Sequence, residues 1–141
     1  MTMLEESQEL ERTELRIIIA GGRDFNDYGL LSSQVSNIIS HLETMIHFDF
    51  ITIISGNARG ADRLGERYAK EHDINLAKFP AQWDRYGKRA GYLRNEEMAK
   101  YAVADGHIGV LIAFWDGESV GTKQMIRMAE KYGLESRIIK Y

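Results

Sequence analysis

Cysteine is absent from the 141 residues, so disulfides and thiolate chemistry are excluded and the redox compartment is left open. Proline occurs once, at Pro80. No apolar run approaches the ~20 residues of a membrane span, and no partner for a membrane is expected. The first residues are acidic and polar, unlike a signal peptide, so a cytoplasmic protein is the expectation. There is no internal repeat and no low-complexity segment. The histidines are few, and His41 and His47 stand with no partner at metal-ligand spacing. No metal site is expected. Strong net charge is also lacking. Residues 1–14 hold five Glu and one Arg, a net of −4 against −3 for the whole chain, so the remainder carries +1. Long-range attraction of such a body to nucleic acid is weak. Any basic site must be local.

What is present is a regular alternation of strand and helix patterns. Residues 1–14 read as an acidic arm, and residues 15–141 as a single domain with a sizeable core. Leu15 to Ala20 reads as a buried strand ended by Gly21-Gly22. An amphipathic helix follows, with Leu31, Val35, Ile38, Leu42 and Ile46 on one face. Phe50 to Ile54 is the second strand, and Ala61 to His72 a second helix. Gly65 inside that helix costs roughly 1 kcal/mol against Ala, which a close helix-to-sheet approach would explain. Ile74 to Phe79 alternates like an edge strand, closed by Pro80.

Residues 81–91 form a long connection rich in aromatic and basic groups, too aromatic for disorder. A helix runs from there to about Ala104, with Gly91, Asn95, Met98 and Ala102 on one stripe. Gly109 to Phe114 is the fourth strand. The last helix carries Thr122, Met125, Ile126 and Ala129 inward, with Gly133 as its C′ residue and a short strand at Arg137 to Ile139. The pattern predicts an α/β, Rossmann-like three-layer sandwich. Right-handed crossovers and one reversal give a five-stranded parallel sheet of order 3-2-1-4-5.

In such a sheet ligands bind beyond the C-terminal strand ends, at the switch point. Three Gly-rich turns are placed there by topology. They are Gly21-Gly22-Arg23-Asp24, the stretch Ser55-Gly56-Asn57-Ala58-Arg59-Gly60-Ala61-Asp62, and Asp116-Gly117 through Gly121-Thr122. A strand, a Gly-rich turn and a helix start make an anion site, because the first helical N–H groups lack partners and the dipole is positive there. Gly56 and Gly60 permit positive φ and close approach of a ligand. Arg59, Arg63 and Arg67 repeat at four-residue spacing. The stretch is neither a Walker loop nor Gly-x-Gly-x-x-Gly.

Trp83, Tyr86 and Lys88 reach the same rim from the loop after strand three. Trp83 or Tyr86 stacks on a base, or Trp83 fills the loop core. Asp24 and Asp116 bind ribose hydroxyls or cap helices. Asp62 holds its loop or contacts a ribose. Asn95, a polar residue on a core-facing stripe, ties down a loop or faces the ligand, with Arg94 beside it. These residues suit a phosphorylated, nucleotide-like ligand.

Gly21-Gly22-Arg23-Asp24-Phe25, Ser55-Gly56 with Ala58-Arg59-Gly60-Ala61-Asp62, Gly87-Lys88 with Ala90-Gly91 and Arg94-Asn95, and Gly121-Thr122 after Asp116-Gly117 resemble the YspA/YpsA-related members of the SLOG superfamily. The resemblance covers roughly Leu15 to Tyr141. It implies a Rossmann-like domain, found in bacteria and phages, that binds nucleotides or nucleotide-derived ligands and is often inferred to sense or process them. The superfamily also holds the Lonely guy phosphoribohydrolases. Their signature resembles Pro-Gly-Gly-x-Gly-Thr-x-x-Glu, with a catalytic Glu and a partner Arg. Here Gly121-Thr122 is kept, Met125 stands at the Glu position, and Arg94 matches the partner Arg. Methionine cannot serve as acid, base or nucleophile.

The leading expectation is therefore a binding domain, acting as a sensor or sequestering a signalling nucleotide, with a possible homo-oligomer as its assembly and no certain cofactor. A hydrolase would need a replacement carboxylate, with Glu97, Asp24 or Asp116 as candidates and Arg94 as partner. A single-stranded nucleic-acid module would use Arg59, Arg63, Arg85 and Arg89 with Trp83. The near-neutral body argues against it.

Overall fold

The computed structural model describes residues 12–141. The acidic arm expected over residues 1–14 falls outside the described residues as far as residue 11.

The five strands are β1 (Glu14–Gly21), β2 (Phe50–Ser55), β3 (Asn75–Lys78), β4 (Ile108–Trp115) and β5 (Glu135–Lys140). They pair in parallel throughout, in the order β3-β2-β1-β4-β5. The central pair is in register with Ile18 beside Leu111 and Gly21 beside Phe114. The β1 strand begins one residue earlier than its apolar run, because the buried Glu14 carboxylate is balanced: Arg16 Nε donates to it at 2.9 Å. That guanidinium also lies 3.8 Å over the Tyr101 ring and donates to the Tyr101 carbonyl at 2.6 Å.

Alternating residues of the central strands feed two separate cores, as a sheet covered on both faces requires. Ile17, Ile19, Ile53, Val110 and Ile112 pack under α1 (Tyr28–Met45) and α2 (Ala61–Glu71). Ile18, Ile54, Leu111 and Ala113 pack under α4 (Ala90–Val103) and α5 (Val120–Lys131). The change of face falls between β3 and β4, which is what reverses the strand order.

Local signals fix the helix ends. Asp27 caps α1, its side chain accepting from the Leu30 N–H at 3.0 Å. Gly133, at φ 79°, closes α5 in a Schellman motif, with Leu134 N–H donating to the Ala129 carbonyl at 2.9 Å. In α2, a Cβ on Gly65 would lie 2.9 Å from Ile19 Cβ, so the helix does approach the sheet that closely. Residues 81–89 are more structured than a plain connection. They hold the short helix α3 (Trp83–Tyr86) and a 3-10 turn, Gly87–Arg89, that runs into α4.

Candidate functional site

The C-terminal ends of β1, β2 and β4 open onto one cavity of about 540 Å³. Its wall is drawn from four successive connections and the starts of α4 and α5. Gly21, Gly22, Arg23 and Asp24 come from the turn after β1, and Ala58, Arg59 and Asp62 from the turn after β2. Trp83 and Lys88 come from the segment after β3. Asp116, Ser119, Gly121 and Thr122 come from the turn after β4.

Backbone contacts lock the first two turns together. The Gly22 carbonyl accepts from both the Phe25 and Ala61 N–H groups, each at 3.2 Å. Gly60, at φ 83°, makes that approach possible, since a Cβ there would collide with the Gly22 carbonyl and lie 2.7 Å from Arg23 Cα. Positive φ in this turn falls on Gly60 and on Asn57, at 61°, and not on Gly56. Gly56 is needed for space instead: a Cβ there would lie 2.7 Å from both Arg94 Nη1 and Asp62 Oδ2. Neither Gly60 nor Ser119, the residues ahead of α2 and α5, supplies a side-chain cap bond. Apart from Ala61, whose N–H is taken by the Gly22 carbonyl, the first-turn N–H groups of the two helices are left for an anion.

Charge is distributed unevenly around this wall. Asp62 is buried, and its Oδ2 accepts from the Ala58 N–H at 3.2 Å. Burial pushes its carboxyl up to about 6, opposed by that N–H and by Arg94, and reinforced by Glu66. Arg94 donates through Nη1 to the Gly56 carbonyl at 2.5 Å and through Nε to Asn95 Oδ1 at 2.9 Å. Burial lowers the Arg94 pKa, with Asp62 acting the other way. Asn95 in turn donates to Gln124 Oε1 at 3.3 Å, so it ties α4 to α5 while lining the cavity.

The Asp116 carboxylate accepts from the Glu118 and Ser119 N–H groups at 2.8 Å each, which holds its pKa below the usual range. Asp24 Oδ1 accepts from the Tyr141 hydroxyl at 2.8 Å. Arg23, Arg59 and Lys88 have no ion-pair partner among the described residues.

Some expected residues lie elsewhere. Ser55 is buried beneath the turn, its Oγ donating to Glu66 Oε2 at 2.6 Å and accepting from the Asn57 N–H at 3.0 Å. Gly56, Asn57, Gly60 and Gly117 shape the turns without lining the cavity, and Tyr86 is exposed outside its wall. Glu97 is exposed on α4 and is not brought to the wall, and Met125 is buried in the core beneath it. Of the arginine series, only Arg59 reaches the site. Arg63 lies 3.7 Å from Glu66, and Arg67 pairs with Glu71 at 3.0 Å and stacks on Tyr28. Tyr92, Ser119 and Gln124 join the wall without having been singled out, and Ala58 and Gly91, named only within motifs, join it too. Glu66, the buried anchor of Ser55, had a legible signal: with Asp62 it places two carboxylates on the inward stripe of α2. No group of three or more His, Asp or Glu is arranged to hold a metal among the described residues. No helix among them is long and apolar enough to cross a membrane.

The sequence pattern of the YspA, cpYpsA-related SLOG family matches residues 15–86. The chain belongs to that family. The matched span runs from β1 through α3, and so contains the first two turns of the cavity and Trp83. A relative, the Gene 61 protein of Mycobacterium phage D29, is 39% identical over 89 residues, covering 60% of this chain and 67% of that protein. No solved structure matches the chain.

Proposed function

We propose that this SLOG domain binds a nucleotide or nucleotide derivative at the C-terminal edge of its sheet and acts by sensing or sequestering it. The observation that carries the reading is the convergence of Arg23, Arg59 and Lys88, unpaired among the described residues, with two helix starts lacking side-chain caps in one cavity. Guanidinium and backbone N–H groups together suit phosphate, and a charge-assisted bond contributes about 1.5–3 kcal/mol. Trp83, half exposed at the rim, offers a face to a base. Family membership points the same way. Asp62 and Asn95 supply polar contacts for a ribose or base edge from the cavity floor. A cytoplasmic location, where nucleotides are abundant, is part of the same proposal.

The test is to denature the purified protein, release whatever small molecule accompanies it, and determine its mass. Calorimetry with that molecule, or with a panel of nucleoside phosphates if none is released, follows. Binding of a phosphorylated nucleoside at one site per chain is the expected result. No heat with any nucleotide, alongside a native circular dichroism spectrum, would overturn the reading.

A further inference from the structure

The cavity does not end at its own wall. A second hollow of about 600 Å³ is lined by Arg23, Ala58, Arg59 and Trp83, each of which also lines the first. The second space is the more open of the two, a surface extension of the cavity across those four residues. Their chemistry differs. All three carboxylates of the site, Asp24, Asp62 and Asp116, line only the first compartment, and the second has two guanidiniums, an indole and no acid. The first compartment alone is large enough for one nucleotide, since pockets for small ligands span about 300–1,000 Å³. The second adds comparable space in which anion recognition and ring stacking are the available interactions.

Accordingly, and resting on the nucleotide-binding reading above, we propose that the ligand is a dinucleotide. One nucleoside sits in the carboxylate-bearing compartment, the bridging phosphate lies between Arg23 and Arg59, and the second base stacks on Trp83. The exposure of Trp83 fits this role. It is 49% exposed in the free protein, so a ring face is open to a stacking partner at the rim of the cavity. The linkage between the two nucleosides is left to the probes.

The experiment compares AMP, ADP, diadenosine 5′,5′-pyrophosphate and the 3′,5′-linked dinucleotide pApA by calorimetry on the full chain. At least one dinucleotide is expected to bind about tenfold tighter than AMP and more tightly than ADP, the gain of one stacked base. Quenching of Trp83 fluorescence should accompany it. In Trp83→Ala the ratio of dinucleotide to AMP affinity should fall at least about threefold. Whichever linkage wins identifies the class. If AMP binds and neither dinucleotide exceeds ADP, the dinucleotide inference fails and the nucleotide site stands. If no probe binds at all, the inference fails, and the nucleotide reading fails with it when the full panel of nucleoside phosphates is equally silent. An unchanged ratio in Trp83→Ala would remove the stacking role and overturn the inference.

Discussion

At the scale of single residues, Arg59 and Asp62 separate binding from stability. Arg59 is exposed and unpaired among the described residues, so its removal should leave the fold intact. Arg59→Ala is expected to weaken nucleotide binding by about 1.5–3 kcal/mol, read by calorimetry, with an unchanged melting temperature. A collapse in melting temperature would assign it to the fold instead. Asp62 lines the cavity too, but its proton bears on the fold. Its folded carboxyl, at about 6 against 3.8 for the free side chain, holds a proton that the unfolded chain has already lost. The folded state therefore binds more protons across that window. Stability should fall as pH rises from about 4 through about 6 and stay level above. Asp62→Asn keeps an acceptor for the Ala58 N–H and should remove this slope, leaving the variant more stable at pH 8 by on the order of 2 kcal/mol and not at pH 4. Denaturant melts across pH decide it. The Asp62 burial was only half legible in the sequence. Its place in the first turn of α2 was plain, but the depth of the turn depends on Arg94, 38 residues away along the chain from Gly56.

At the scale of elements, the β-branched runs and the α1 stripe were readable because both are local periodicities. The observed bounds differ from the apolar runs mainly at their ends, where paired polar groups such as Glu14 and Arg16 extend a strand that hydrophobicity alone would stop. The segment after β3 was less readable. Its short helix α3 has no apolar stripe of its own, and all of its residues are exposed. The clearest element-level test is Gly65. Alanine there would favour helix by about 1 kcal/mol, but its methyl would press on Ile19 Cβ and Cγ2 at 2.9 Å, atoms held by the central strand. Such overpacking costs about 1–3 kcal/mol. We expect the steric cost to win, so Gly65→Ala should lower the denaturant midpoint, and a higher midpoint would show that α2 can lift from the sheet.

For the whole molecule, topology was legible because alternating strand and helix segments admit few right-handed arrangements, and the order β3-β2-β1-β4-β5 puts every Gly-rich turn at one edge. What topology cannot tell is which side chains at that edge remain free. Arg63 and Arg67 are engaged by carboxylates of their own helix, which breaks the basic stripe a nucleic-acid module would need. The same question decides whether the cavity does chemistry. Glycosidic cleavage of a nucleoside monophosphate needs a carboxylate beside the sugar, and Met125 lies in the core at the position where the phosphoribohydrolase signature has Glu. Glu97 is exposed and outside the cavity wall. Asp116 is held by two backbone N–H groups and Asp24 by Tyr141. Asp62 alone combines burial, a raised pKa and a place in the wall, yet its Oδ2 already accepts from the Ala58 N–H. Loss of a general acid–base group typically costs 10²–10⁴-fold, so release of free base from AMP, GMP, CMP or UMP should stay below one turnover per hour (of order) even with saturating substrate. Chromatography over several hours measures it. Several turnovers per minute with any of the four would overturn the binding-only reading, and loss of that activity in Asp62→Asn, with Glu97→Gln unaffected, would place the acid on the first turn of α2.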